Sequence, residues 1–87
     1  MGWRDAYKIL IMLEGLLRND EERKRIGNII QVLRVQQGLT VEELGQKAGV
    51  GSSLLTRVEL GKFNVRLDVL SSVAEALGYK VDFVKKD

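Results

Sequence analysis

Cysteine, histidine and proline are absent from the 87 residues of this chain. Without cysteine no disulfide bond can form, and without cysteine and histidine a zinc site would need carboxylate ligands alone. The same absence excludes Cys-His and Ser-His-Asp catalysis. We therefore expect neither an enzyme nor a bound cofactor.

Long hydrophobic runs are also missing. The apolar run at residues 9–13 ends at Glu14, whereas a membrane span needs about 20 apolar residues. No small-residue cleavage site follows this run, and we expect a cytoplasmic protein with no membrane partner. The formal net charge of +2 is too small to identify a nucleic-acid-binding protein, so the positions of the charges matter more.

Single glycines divide the chain into segments. Gly38, Gly49, Gly61 and Gly78 each follow apolar residues at helical spacing, which is the usual signal for the end of a helix. The glycines predict five helices and a tail. The predicted helices cover residues 3–18, a segment from Asn19 or Asp20 to Gly38, and residues 40–48, 52–60 and 67–77.

Apolar side chains at helical spacing define the predicted core. The first helix, residues 3–18, is apolar over more than one face, so we expect it to extend the core or to bind another protein. The core positions predicted for the other helices are Ile26, Ile29, Ile30, Leu33, Leu44, Ala48, Leu55, Val58, Leu67, Leu70, Val73, Ala74 and Leu77.

The tail, residues 79–84, alternates apolar and charged residues, which is the period of a half-buried strand. No other segment reads as a strand, so the simplest partner is the same segment of a second subunit. Tyr79, Val81 and Phe83 are the predicted dimerisation residues. The predicted division is therefore an N-terminal amphipathic helix at 1–19, a helical domain at 20–78 and a dimerisation tail at 79–87.

Residues 40–61 contain two short helices joined by a tight glycine turn, which is the spacing of a helix-turn-helix motif. Thr40 and Glu43 form a capping box at the start of the first helix. In the second helix Leu55 and Val58 are expected to face inward. The outward residues are then Ser52, Ser53, Thr56 and Arg57.

These outward side chains suit contact with the edges of DNA bases. Serine and threonine hydroxyls can bond to any base, whereas arginine bound to guanine O6 and N7 is worth about 1 to 3 kcal/mol of discrimination. Arg57 is therefore the predicted residue for sequence readout. Lys62 and Arg66, with the open amides near Thr40, would bind phosphates.

A larger set of residues around the motif has a recognisable pattern over roughly residues 23–78. Its members are Leu33, Arg34, Gly38, Leu39, Thr40, Glu43, Leu44, Ala48, Gly49, Val50, residues 55–62, Asn64 and residues 67–70.

Together these residues resemble the Cro/repressor-type (XRE) helix-turn-helix family. The resemblance implies an all-α, lambda-repressor-like bundle of about five helices, here with a short C-terminal β-strand pairing across a dimer. It implies that the second motif helix reads bases of double-stranded DNA. It also implies phosphate contacts from Thr40, Lys62 and Asn64, and an internal salt bridge at Arg34 and Glu43.

Three residues depart from the family pattern. Val41 stands where the family usually has glutamine, which often contacts the DNA backbone or a base. Gly45 replaces alanine, at a cost of about 1 kcal/mol in helix propensity, and allows the two motif helices to approach closely. Val65 stands where proline is common.

We expect a repressor that binds an inverted-repeat operator as a homodimer. The short C-terminal strand resembles antitoxins of the HigA/HipB type, which would add a cognate toxin as a partner, through the N-terminal helix in this chain. A phage-type or restriction-control repressor is an open alternative. The alternative from another class is a protein-interaction module that keeps the fold without reading DNA.

Overall fold

The computed structural model describes the backbone of residues 3–86 and the side chains of residues 20–86. Within residues 3–86 the chain forms four helices, α1 (Trp3–Gln36), α2 (Val41–Ala48), α3 (Ser52–Glu59) and α4 (Leu67–Ala76). This part of the chain has no strand, so its secondary structure is all-α. No helix in residues 3–86 is long and apolar enough to cross a membrane.

The predicted break between the first two helices does not occur, because α1 runs continuously through residues 18–20. Asp20 bonds to Arg23 and Lys24, and Glu22 bonds to Arg25, so ion pairs at helical spacing span the turns after the expected break. Hydrogen bonds from Lys24 and Arg25 lower the pKa of Asp20 and of Glu22, respectively. The boundary predicted between residues 19 and 20 falls inside this helix. The apolar face predicted for residues 3–18 lies outside the described side chains.

The predicted helix ends are confirmed at the four glycines. Gly38, Gly49, Gly61 and Gly78 all have a φ between 70° and 86°. This left-handed conformation is open to glycine without steric penalty, and each helix ends one or two residues before its glycine.

The core lies between the four helices, where α2 packs on α3 and α4 and α1 packs on α3, and Leu44 and Leu55 are fully buried within it. Two predicted core positions are wrong. Ile29 is 42% exposed, because the face of α1 that packs on the core carries Ile26, Ile30 and Leu33. Leu67 is 69% exposed, because it is the first residue of α4 and precedes the turns that pack. The buried hydrophobic residues are Ile30, Leu44, Leu55, Val58, Val73 and Leu77.

The tail has no regular structure in this single chain. Residues 79–86 are neither helix nor strand, and Tyr79, Val81 and Phe83 are all exposed. Strand geometry needs a neighbouring strand to satisfy the backbone, and one copy of the chain offers none to the tail. Pairing of two tails therefore stays a prediction.

Candidate nucleic-acid interface

The start of α2 is fixed by the predicted capping box. The Thr40 hydroxyl oxygen accepts a hydrogen bond from the Glu43 amide at 3.0 Å. The Glu43 carboxylate in turn accepts one from the Thr40 amide at 3.1 Å. These reciprocal bonds satisfy two backbone donors that a helix start leaves free, which sets the direction of α2.

The turn between α2 and α3 passes close to Gly45. A Cβ atom at Gly45 would lie 2.6 Å from the Val50 carbonyl oxygen, closer than real Cβ contacts. The Val50 amide also donates to the Gly45 carbonyl at 2.8 Å. Gly45 therefore permits the tight approach expected from the sequence, and the backbone it meets belongs to the turn.

The two faces of α3 differ as predicted. Leu55 and Val58 are buried against the core, whereas Ser53, Thr56 and Arg57 are exposed. Ser52, at the first position of the helix, is half-buried and therefore less open than the other three. The structure thus brings Ser53, Thr56 and Arg57 together on one accessible helix surface.

The predicted phosphate ligands lie at element ends and in the loop before α4. Thr40 is exposed, and its cap uses the hydroxyl as an acceptor, which leaves the hydroxyl proton to donate. Lys62 is exposed three residues after the end of α3. Asn64 is exposed at a shallow cleft that it lines with residues of α1. Arg66 is exposed and pairs with Asp68 at 3.2 Å.

The internal salt bridge expected between Arg34 and Glu43 is not present. Arg34 instead forms a two-pronged pair with the Glu59 carboxylate at 2.8 and 3.0 Å. Glu43 is engaged in the capping box, and its carboxylate bonds to the backbone there. Arg34 also donates to the Leu39 carbonyl at 2.8 Å, so this one side chain joins α1, α3 and the loop before α2.

The Arg34–Glu59 pair is largely withdrawn from solvent. The side chains are 13% and 6% exposed, respectively. The hydrogen bonds that Arg34 donates to the Glu59 carboxylate raise the pKa of the Arg34 guanidinium above its ordinary value. Fork geometry and burial make this a strong contact that orients the end of α3.

Two glycines let α1 lie directly against the end of α3. A Cβ atom at Gly27 would lie 2.3 Å from the Val58 carbonyl oxygen. A Cβ atom at Gly61 would lie 2.8 Å from the Lys24 side chain. Sequence reasoning missed this contact, although a glycine inside an uninterrupted helix is itself a signal of close approach. We call Gly27, Arg34, Glu59 and Gly61 the α1–α3 clamp.

The clamp also changes the charge balance of the motif. Residues 40–62 hold Lys47, Arg57 and Lys62 against Glu42, Glu43 and Glu59. Glu59 is buried beside Arg34 and does not act as a free negative charge toward the surface. The exposed motif surface is therefore more positive than the sequence count suggests.

Val41 stands where the family usually has a DNA-contacting glutamine, and here it packs on the core instead. Its side chain is half-buried and packs against the core cluster. The first turn of α2 therefore stabilises the fold at the position where the family often contacts DNA.

The capped α2, the glycine turn and the exposed polar face of α3 define a helix-turn-helix domain of the kind that binds DNA. The helix-turn-helix family HTH_3 matches residues 30–84. The chain belongs to this family of helix-turn-helix DNA-binding regulators, which confirms the Cro/repressor-type resemblance.

Three relatives illustrate the match. The chain is 34% identical over 59 residues to an immunity repressor protein of Bacillus phage phi105, covering 68% of this chain and 41% of that protein. It is 30% identical over 59 residues to an uncharacterized HTH-type transcriptional regulator of Sinorhizobium fredii, covering 68% and 78%. The clp gene regulator ClgR of Corynebacterium glutamicum superimposes with a TM-score of 0.64 at 31% identity, covering 67% and 62%. The chain thus spans less than half of the phage repressor.

Proposed function

We propose that this protein is a sequence-specific repressor that binds an inverted-repeat operator as a homodimer. The observation that carries the proposal is the exposure of Ser53, Thr56 and Arg57 on a helix whose other face is fully packed. A recognition helix must hold its side chains at fixed positions against base edges. The α1–α3 clamp provides that rigidity, and the similar phage protein is named as a repressor.

The proposal of a dimer rests on exposed apolar side chains in the tail. Phe83 is 101% exposed and Val84 is 91% exposed. This is a large apolar surface for a short segment in which apolar and charged residues alternate. Pairing of two tails would cover these side chains and satisfy the strand backbone. A twofold dimer would also present two α3 helices to two half-sites, about 34 Å apart along DNA.

Removal of residues 79–87 is expected to convert the dimer to a monomer, because the proposed intersubunit strand is lost. Sedimentation equilibrium at several protein concentrations measures this directly. Phe83→Ser keeps the chain length and should weaken the dimer in the same direction, whereas Ser71→Ala on the exposed side of α4 should not. A truncated chain that stays dimeric would place the interface elsewhere.

The proposed function is tested by selecting bound duplexes from a random DNA pool at two salt concentrations. An enriched inverted repeat whose binding weakens as salt rises is the expected result, because phosphate contacts release counterions. No enrichment at either salt would contradict sequence-specific binding and would favour the protein-interaction alternative.

Arg57→Ala is expected to weaken binding to the selected operator about tenfold while it changes binding to unrelated DNA much less. The lost contact is a base contact, which carries discrimination. Lys62→Ala is the matched comparison, since a phosphate ligand should weaken all sequences alike and lower the salt slope by about 1. Competition titrations with operator and unrelated duplexes measure both. An equal loss on both DNAs for Arg57→Ala would assign Arg57 to phosphate.

A further inference from the structure

The exposed face of α3 is divided into a polar strip and an apolar strip. Ser53 and Arg57 lie one turn apart and form the polar strip. Thr56 and Leu60 also lie one turn apart and form what we call the apolar strip. Leu60 caps α3 with helical angles, φ −81° and ψ −4°, so it continues the helix surface, and it is 58% exposed.

Thr56 belongs to the apolar strip because its hydroxyl proton is already used. The Thr56 hydroxyl donates to the Ser52 carbonyl oxygen one turn earlier, at 2.9 Å. A side chain bonded to its own helix in this way offers the outside a methyl group and acceptor lone pairs, and no donor. Ser53 has no such constraint among the hydrogen bonds of α3, so the two hydroxyl residues present different chemistry.

We infer that the apolar strip of α3 selects thymine, by contact of the Thr56 methyl group and Leu60 with the thymine 5-methyl group. This inference rests on the proposed function. Thymine is the only base that presents a methyl group in the major groove, and threonine methyl groups are suited to contact it. The division of the face then assigns two kinds of readout to one helix, guanine to Arg57 and thymine to the apolar strip.

The test uses two random DNA pools, one made with thymine and one with uracil, which lacks only the 5-methyl group. Selection with the unaltered protein is expected to show a thymine preference at one or more positions. In the uracil pool the preference for uracil at those positions should fall about fourfold, the change expected when one methyl-sized group is no longer buried. Melting curves, recorded without DNA for the unaltered protein and for the variants named below, verify that each protein is folded.

Four variants then test the apolar strip, and the two at Thr56 separate the methyl group from the hydroxyl group. Thr56→Val keeps a methyl group and loses the hydroxyl, and it should retain the thymine preference. Thr56→Ser keeps the hydroxyl and loses the methyl group, and it should lose the preference. Leu60→Ser should reduce it as well, and Ser71→Ala, which removes an exposed hydroxyl on α4 outside the candidate interface, should leave it unchanged.

The outcomes distinguish this inference from the function on which it rests. Equal enrichment of the same sequence in both pools overturns the inference alone, as does loss of preference in Thr56→Val with retention in Thr56→Ser. That second pattern would mean that the hydroxyl lone pairs accept from a base amine. No enriched sequence in either pool overturns sequence-specific binding and thymine selection together.

Discussion

Arg34→Met is expected to lower the free energy of unfolding by about 3 kcal/mol, because it leaves the buried Glu59 carboxylate without its partner. The loss also removes the bond from Arg34 to the Leu39 carbonyl, so the loop before α2 is released at the same time. For a domain whose total stability is about 5 to 15 kcal/mol, this is a large fraction. Urea unfolding followed by circular dichroism gives the value.

Three further variants isolate the reason for this loss. Glu59→Gln should cost less than Arg34→Met, since Arg34 is the more exposed partner and a lone guanidinium there can reach water. The double variant Arg34→Met/Glu59→Leu should recover much of the stability, because an apolar pair of similar volume needs no charge compensation. Arg25→Met breaks only the exposed pair with Glu22 and should change little. A double variant as unstable as Arg34→Met would contradict the argument from buried charge.

Arg34→Met should also weaken DNA binding. Arg34 forms no hydrogen bond with the exposed side chains of α3 or with those of the candidate phosphate ligands, yet it fixes the end of α3 on α1. With the pair broken, α3 is held by Leu55, Val58 and their neighbours in the core and by the close approach of α1 at Gly27 and Gly61. Operator affinity of the folded variant, measured well below its melting temperature, should therefore fall while the salt slope stays the same.

Local features of the fold were predictable because they depend on neighbouring residues. Thr40 and Glu43 predict the start of α2, and the four glycines predict where helices end, since capping and left-handed backbone are decided within a few residues. The inward positions of Leu55 and Val58 follow from helical periodicity in the same way.

The continuation of α1 past residue 19 was not predicted, because Asn19 and Asp20 are good capping residues. Ion pairs within residues 20–25 support the continuous helix.

Features that depend on how helices cross were not predictable either. Glu59 was missed as the partner of Arg34 because the two lie 25 residues apart and meet only when α1 crosses α3. The resemblance implies Glu43 as the partner of Arg34, while its position at the third residue of α2 commits it to the capping box that the sequence also predicts.

The sequence predicts which side chains of α3 face outward, but it does not predict the hydrogen bonds that those side chains form. The periodicity of α3 places Ser53, Thr56 and Arg57 outward, as the structure has them. The hydrogen bond from Thr56 to Ser52 depends on a rotamer that the sequence does not specify. Leu60 belongs to the residues that carry the family resemblance, yet its exposure follows from how the chain leaves the helix.

Gly27→Ala is expected to destabilise the protein by about 2 kcal/mol, although alanine is the better helix former. The added methyl group would lie 2.3 Å from the Val58 carbonyl oxygen and 2.8 Å from that of Glu59, and both are backbone atoms that cannot rotate away. Overpacking of this kind costs about 3 kcal/mol, and the gain in helix propensity returns about 1 kcal/mol. The melting temperature should fall by roughly 10 °C in a domain of this size.

Asn28→Ala provides the matched control for Gly27→Ala, because it makes a similar change one residue along α1 at an exposed position. It should raise stability by a few tenths of a kcal/mol, about the propensity difference alone. The clash at Gly27 can be relieved only by moving α1 away from α3, which also lengthens the Arg34–Glu59 bonds. Gly27→Ala should therefore cost less in a background that already carries Arg34→Met, because the two changes loosen one contact. If Gly27→Ala instead stabilised the protein as Asn28→Ala does, α1 would be free to shift on α3, and the recognition helix would need another source of rigidity.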